Sequence, residues 1–148
     1  MRAVVLREHG GPEVLRVEEV PDPTPGPGEV VVRVRACALN HLDIWVRRGI
    51  PGAPFHLPIT TGADISGDVH AVGEGVSGWQ VGAPVMVAPG ISCGACARCA
   101  SGADHLCPKY GILGETCDGG LAELIAVPAT NLFAKPERLE YEDAAALT

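Results

Sequence analysis

The chain has 148 residues, a formal net charge of −7 and 47% hydrophobic residues. This length suits a single domain with its own core, and an acidic chain without a basic cluster is not expected to bind nucleic acid. No apolar run approaches the ~20 residues that span a bilayer, and Met1 leads directly into a strand-like segment rather than a signal peptide. We therefore expect a cytoplasmic protein without a membrane contact.

The first part of the chain predicts β-structure followed by a short helix. Apolar patterning predicts strands over Arg2–Arg7, Val14–Val20 and Glu29–Ala38, with the proline-rich segment 21–28 as a stiff connector. The third strand has one apolar face that we expect in the core, formed by Val30, Val32, Val34 and Ala36. Helical spacing follows over 40–48, with Asn40 as its cap and Gly49 as its stop.

The rest of the chain predicts more strands and one further helix. Pro51–Pro58 is expected to be a loop. The predicted strands are Gly62–Gly73, Val85–Ala88 and Leu121–Val127. A helix is predicted over Glu140–Leu147, and the sequence stops within its pattern. Short strands between turns rich in glycine and proline favour a mainly β fold, a barrel or sandwich with short peripheral helices.

Four cysteines form the most specific pattern in the chain. They have the spacing C-x2-C-x2-C-x7-C and are Cys93, Cys96, Cys99 and Cys107. Four thiolates in one short lobe can surround a zinc ion tetrahedrally, and a site without an open position is structural rather than catalytic. Two disulfides or an iron–sulfur cluster are the alternatives. A chain without a signal peptide disfavours the first, and the long final spacing disfavours the second.

A second motif, Gly73-Glu-Gly-Val-Ser-Gly78, matches the dinucleotide fingerprint G-x-G-x-x-G. That fingerprint requires a helix immediately after the glycines, so that phosphate meets the helix N-terminus. Gly82 and Pro84 follow too closely for a helix of useful length. We therefore interpret the segment as a turn, and the chain shows no nucleotide-binding unit of its own.

Several motifs point jointly to one family. Besides the cysteine tetrad, they are Gly11–Leu15, Pro25–Val30, Asn40 to Gly49 with Asp43, Gly62-x-Asp64-x-x-Gly67, Ala71–Gly73 and Gly119–Glu123. Together they resemble the GroES-like N-terminal domain of the medium-chain dehydrogenase/reductase superfamily, which includes zinc alcohol dehydrogenases and quinone reductases. The resemblance covers residues 1–148 and implies a GroES-like, partly open β-barrel with a structural zinc lobe.

The resemblance also implies a function and partners. Residues 1–148 would be the substrate domain of an NAD(P)-dependent oxidoreductase, and a Rossmann domain absent from this chain would make most cofactor contacts. The family's chain would continue just past Thr148. A small-molecule alcohol, carbonyl or quinone would be the substrate, and we expect a homo-oligomer.

The chain departs from zinc-dependent members at the reaction centre. Asn40 stands where those members have a zinc-ligating cysteine, and Ala63 stands where they have a histidine. Their proton-relaying hydroxyl and histidine are replaced by Leu42 and Trp45. We therefore expect a structural zinc but no catalytic zinc. A shifted register would make Cys37 a ligand, although a small buried thiol is the simpler interpretation.

The same alignment suggests roles for five residues. Asn40 would donate a hydrogen bond to a carbonyl and Trp45 would stack on a flat substrate. Asp43 and Asp64 would brace the pocket, and His41 would lie near the cofactor pyrophosphate. Each has an ordinary alternative: a helix cap for Asn40, core packing for Trp45, which we favour, structural acids for the aspartates and an uninvolved surface residue for His41.

Three functions remain open on the sequence. The preferred one is a reductase of quinones, enones or aldehydes, because without a Lewis acid an alcohol has no metal to lower its pKa. A true zinc-dependent alcohol dehydrogenase and a non-enzymatic, zinc-stabilised association module are the alternatives. Two zinc ions per chain would favour the dehydrogenase, and one would favour the reductase.

Overall fold

A computed structural model describes residues 1–52 and 55–148. Its strands are β1 (Arg2–Leu6), β2 (Leu15–Glu19), β3 (Glu29–Ala38), β4 (Ile59–Thr60), β5 (Asp64–Val72), β6 (Pro84–Val87), β7 (Gly90–Ile91), β8 (Gly111–Ile112), β9 (Leu124–Pro128) and β10 (Leu132–Ala134). Its α-helices are α1 (His41–Arg48), α2 (Ala97–Ala100) and α3 (Tyr141–Ala145). The mainly β fold class is confirmed.

Three antiparallel sheets organise the fold. The largest has the strand order β10-β6-β5-β3-β9, the second has the order β2-β1-β4, and β7 pairs with β8 alone. Strand β3 is central because it pairs with both β5 and β9, and two register shifts interrupt its ladder with β5. The strands of these sheets do not close into a continuous barrel across the described residues.

The main core lies on the five-stranded sheet. It contains the predicted apolar face of β3 through Val30 and Val32, with Val34 packed against it. The core is completed by branched residues of the neighbouring strands, including Ile65, Val69, Val85, Val87, Ile125 and Val127. This aliphatic composition agrees with a chain that has only two residues each of Trp, Tyr and Phe.

Helix α1 attaches to a second, smaller core. Val46 is fully buried with Leu6 of β1 and Ile59 of β4, and Leu42 packs against this cluster. His9 Nδ1 lies 2.8 Å from the carbonyl oxygen of Val46 and Arg47 donates to the carbonyl of Gly10, which holds the helix end to the segment after β1. The position of α1 is thus fixed at both its apolar face and its C-terminus.

Helix α3 packs on β3 and β5 through the buried Ala144 and Ala145. The Ser66 hydroxyl donates to the Tyr141 carbonyl at 2.6 Å, and the Tyr141 hydroxyl donates to Asp68. Desolvation and then the Asp68 hydrogen bond raise the pKa of the Tyr141 phenol to about 12. These contacts hold the last helix against the main sheet.

Most sequence predictions of elements are confirmed, with shorter bounds. The third strand agrees at both ends, and the segment 73–83 forms turns between β5 and β6 as predicted. The predicted strand from Leu121 begins only at Leu124, because Gly120 and Leu121 instead donate to Gly62 and Thr61. The loop prediction for Pro51–Pro58 falls partly on residues 53–54, which lie outside the described residues.

No helix within residues 1–52 and 55–148 combines the length and the apolar character that crossing a bilayer requires.

Asn131 holds the start of the cysteine lobe to the main sheet. Its side-chain nitrogen donates to the carbonyls of Ala88 and Gly90 at 2.8 and 2.7 Å, where the chain passes from β6 to β7. Because Asn131 is buried, Asn131→Ala leaves two carbonyls without a partner. We expect a loss of about 1–3 kcal/mol in the free energy of unfolding, measured by urea denaturation. The exposed Thr130→Ala is the control, with a change within about 0.5 kcal/mol.

Candidate functional site

The cysteine lobe lies between β7 and β8. Cys93 and Cys96 precede the short helix α2, Cys99 lies on it, and Cys107 follows a 3-10 turn at Asp104–Leu106. The four sulfur atoms lie within 4.8 Å of one another, with 3.5 Å between Cys96 and Cys99 and 3.9 Å between Cys93 and Cys99. The sequence prediction that these four residues converge is confirmed.

The sulfur cluster fits a zinc ion. Zn–S bonds of about 2.3 Å in a tetrahedron give sulfur–sulfur separations of about 3.8 Å, close to the observed spacing. The sulfurs of Cys96 and Cys99 lie 3.5 Å apart, well beyond a disulfide bond of about 2.05 Å, so this geometry favours metal ligation over the disulfide alternative. Four sulfur ligands complete the tetrahedron and leave no position for substrate, so the site suits structural zinc.

Backbone N–H groups in this lobe donate to cysteine sulfurs and favour the thiolate of Cys93. Cys93 and Lys109 donate their N–H groups to the Cys107 sulfur at 3.5 and 3.3 Å. The backbone N–H groups of Ala95 and Cys96 lower the pKa of the Cys93 thiol to about 6. Metal ligation requires deprotonated sulfur, which these N–H groups favour at Cys93, whereas the hydrogen bond with the Cys99 sulfur raises the pKa of Cys96.

A second group of residues surrounds the N-terminus of α1. Asn40 caps the helix: its side-chain oxygen accepts from the Leu42 N–H at 3.2 Å, while its own backbone N–H donates to the Asp43 carboxylate at 2.8 Å. The predicted cap is confirmed as a capping box. The remaining amide group of Asn40, its NH2, points to the sheet and donates to Asp64 at 3.0 Å.

Asp43 and Asp64 connect this helix end to β5. Asp43 accepts from the Gly62 N–H at 2.9 Å with its second carboxylate oxygen. Gly62 has φ +101, and a side chain there would lie 2.7 Å from the Cys37 sulfur, so the position requires glycine. Asp64, 7% exposed, takes its hydrogen bond from Asn40. Both aspartates thus have the structural contacts that the sequence left as an alternative.

The two positions aligned with zinc ligands carry no strong metal donor. Ala63 presents a buried methyl group, and Asn40 directs its amide NH2 at Asp64. Cys37 lies nearby, but desolvation, with smaller contributions from the charges of Asp43 and Asp64, raises the pKa of its thiol to about 12. Asn40 and Ala63 therefore supply neither the thiolate nor the imidazole that zinc prefers at these two positions.

Trp45 is not part of the core. Its side chain is 54% exposed, so the expectation that it packs internally is wrong: α1 buries only Val46 and turns Trp45 outward. The rings of Trp45 and the exposed His41 have centroids 6.2 Å apart. Leu39 is 81% exposed beside them. An aromatic and apolar surface therefore flanks Asn40.

A separate cavity lies between the three-stranded sheet and β9. It measures about 610 Å³ and its walls include Val5, Ile59, Leu124 and Cys117. Desolvation by burial raises the pKa of the free Cys117 thiol. None of the five predicted site residues around α1 lines this cavity.

Comparison with known proteins shows the family. The sequence profile of the alcohol dehydrogenase GroES-like domain matches residues 26–137. The chain belongs to this family, whose members with solved structures include zinc-containing alcohol dehydrogenases. The predicted GroES-like fold is confirmed.

Individual relatives agree with that assignment. The chain is 36% identical to L-threonine 3-dehydrogenase of Stenotrophomonas maltophilia (strain K279a) over 98% of its own length and 43% of the relative's. It superposes with a TM-score of 0.95 on an NAD-dependent alcohol dehydrogenase at 55% identity, covering 99% of this chain and 43% of the other. It superposes with a TM-score of 0.88 on a cobalt- and zinc-bound thermostable alcohol dehydrogenase from Pyrobaculum aerophilum. The identity is 37%, and the match covers 99% of this chain and 44% of the other.

The chain spans 43% of the length of the curated relatives that it matches.

The sulfur cluster predicts how the lobe responds to a lost ligand. We expect Cys107→Ala, which leaves three sulfurs, to weaken zinc binding by more than about 100-fold, since changes outside the first shell alone cost about 10–100-fold. Zinc analysis after dialysis against a chelator measures this loss, and hydrogen exchange should show lost protection confined to residues 92–110. Cys117→Ala is the matched control and should retain its zinc. Equal zinc content in both variants would contradict the assignment.

Proposed function

We propose that residues 1–148 are the substrate domain of an NAD(P)-dependent oxidoreductase that reduces quinones, enones or aldehydes and holds structural zinc only. The observation that carries this proposal is the pair Asn40 and Ala63, where an amide bound to Asp64 and a methyl group replace metal donors. A Rossmann domain supplied by further sequence would complete the cofactor site. We also propose a cytoplasmic location and a homo-oligomeric assembly for the complete enzyme.

Hydride addition to an activated C=C bond or a quinone suits these residues. The nicotinamide cofactor, when bound, supplies the hydride, and negative charge then develops on the substrate oxygen. Hydrogen-bond donors aimed at that oxygen stabilise the charge without a metal. Asn40 is exposed and has one amide N–H beyond the bond to Asp64, so it can donate to such an oxygen.

The neighbouring residues support binding of a flat substrate. The exposed indole of Trp45 offers a face for stacking, and the aspartates hold Asn40 in one orientation. Asp64 is thereby a positioning residue that acts through Asn40. His41 lies on the same exposed face as Trp45, where a cationic or hydrogen-bonding group would favour an anionic cofactor phosphate.

A zinc-dependent alcohol dehydrogenase is the second candidate. The names of relatives favour it, because the structure at 55% identity is an NAD-dependent alcohol dehydrogenase and the curated relative is a threonine dehydrogenase. This function requires a second metal near Asn40, held by a donor set outside those aligned positions. The two candidates differ in zinc content, with one ion per chain for the reductase and two for the dehydrogenase.

Restoring the missing donors tests the proposed loss of catalytic zinc. Asn40→Cys combined with Ala63→His supplies a thiolate and an imidazole beside Asp64, the ligand types that zinc prefers. We expect the double variant to bind a second equivalent of zinc or cobalt, and cobalt–thiolate absorption would report it. Ala63→His alone is the control and should gain little affinity. A parent chain that already binds a second equivalent at this position would contradict the proposal.

Activity tests the proposed reaction. The isolated chain is expected to show no turnover, since half a cleft cannot hold a hydride donor against its acceptor. A protein containing this segment and its cofactor domain should oxidise NADH or NADPH with quinones or enones. Trp45→Ala should raise KM for flat acceptors by about tenfold, in line with about 1.4 kcal/mol of stacking. Activity on primary alcohols alone, lost with chelation, would favour the dehydrogenase instead.

A further inference from the structure

Strand β2 forms an uncovered edge of the three-stranded sheet. It is the outer strand in the order β2-β1-β4, and its side chains are largely exposed. Val17, at its centre, is 70% exposed, and Leu15 is 37% exposed. An exposed strand edge with apolar side chains is a template for pairing with another strand.

The alternation of hydrogen-bonded and non-hydrogen-bonded pairs between β1 and β2 shows which peptide groups of β2 face away from β1. Val4 of β1 donates its N–H to Leu121 at 2.7 Å, on the side of β1 away from β2. Val4 is paired with Val17, so this is a non-hydrogen-bonded pair and the peptide groups of Val17 point away from β1. The reciprocal bonds between Met1 and Val20, both 2.8 Å, fix the same alternation.

Leu15, Val17 and Glu19 therefore present their peptide groups at the free edge. The Leu15 N–H already bonds to the Pro12 carbonyl, which leaves its carbonyl oxygen. An antiparallel second strand centred on Val17 would pair Val17 with its own copy and Glu19 N–H with the Leu15 carbonyl. The edge is thus self-complementary about a two-fold axis.

The charges of β2 match the same register. In a two-fold pairing through Val17, Arg16 lies opposite Glu18 of the second copy, in a non-hydrogen-bonded pair where side chains are closest. Arg16 forms no ion pair among the described residues, so its charge is available. Glu18 is held by Arg7 through both carboxylate oxygens, and each oxygen retains capacity for a further donor.

Strand β2 lacks several of the usual protections of an edge strand, and its charged residues, Arg16, Glu18 and Glu19, are the protection that it does carry. It contains no proline, no lysine and no bulge against β1, since the register runs without a shift from Arg2 and Glu19 to Leu6 and Leu15. Arg16 and Glu18 have opposite charges, so these two positions attract in this register, while each whole chain carries a formal net charge of −7.

We propose that β2 is the interface through which a second copy of this chain adds antiparallel to the sheet, joining two three-stranded sheets into one six-stranded sheet. The interface is centred on Val17, and Arg16 of each copy lies opposite Glu18 of the other. This inference is independent of the reaction proposed above, because it uses no residue around α1.

A charge exchange tests the register. Arg16→Glu and Glu18→Arg each place like charges opposite one another twice, and each should weaken dimerisation of the chain by about tenfold. The double variant restores attraction and should return the dimerisation constant to within about threefold of wild type. Sedimentation equilibrium measures these constants. Thermal unfolding at low concentration checks that each monomer is folded, which matters for Glu18→Arg because it also removes the bond to Arg7.

A backbone test supplies independent evidence. Val17→Pro removes the outward N–H without removing a bond to β1, and a proline at such an edge position is tolerated. It should abolish the dimer, whereas Val17→Thr, which keeps the N–H, should retain it. Leu39→Ser, which removes exposed apolar surface beside α1, should also retain it. The proposal is overturned if the wild-type chain stays monomeric up to about 1 mM, if the double charge variant is as weak as the singles, or if only Leu39→Ser abolishes association.

Discussion

One hydrogen bond, from the Asn40 amide to the Asp64 carboxylate, joins the start of α1 to the first residue of β5. The side-chain oxygen of the same amide caps the helix, and the Asp43 carboxylate accepts from the backbone N–H groups of Asn40 and Gly62. Asp64 is buried, so its carboxylate requires this donor. A position aligned with a metal ligand is thereby used for positioning, which supports the proposal that this site acts through hydrogen bonds.

The fold separates this site from the zinc lobe. The five-stranded sheet forms the main core, α1 attaches to the smaller core of Leu6, Val46 and Ile59, and the lobe leaves the sheet at β7 and returns at β8. Sulfur ligation stabilises a lobe that has few buried apolar side chains, and Asn131 fastens its entry. The site around Asn40 depends on the sheet and the helix, and Gly62, which donates to Asp43, also accepts from Gly120 in the segment that follows the lobe.

Local patterns predicted much of this arrangement and long-range contacts supplied the rest. Strand β3 has a strong alternation of apolar and polar residues, and helix α1 has a cap at Asn40 and a stop at Gly49. The spacing of Cys93 to Cys107 predicted the sulfur cluster. The short strands β4, β7, β8 and β10 have two or three residues, too few to show a period. Asn40 and Asp64 are 24 residues apart, so their bond could not be read from spacing. Trp45 was misjudged because helical period does not say which face meets the core, and Asn131 has no sequence signal.

The most direct test of this account is the location of bound metal in crystals of the complete enzyme. Anomalous scattering measured on both sides of the zinc absorption edge should give one peak per subunit, enclosed by the sulfurs of Cys93, Cys96, Cys99 and Cys107. A second zinc peak within bonding distance of Asn40 or Asp64, or no peak among four ordered sulfurs, would contradict the account.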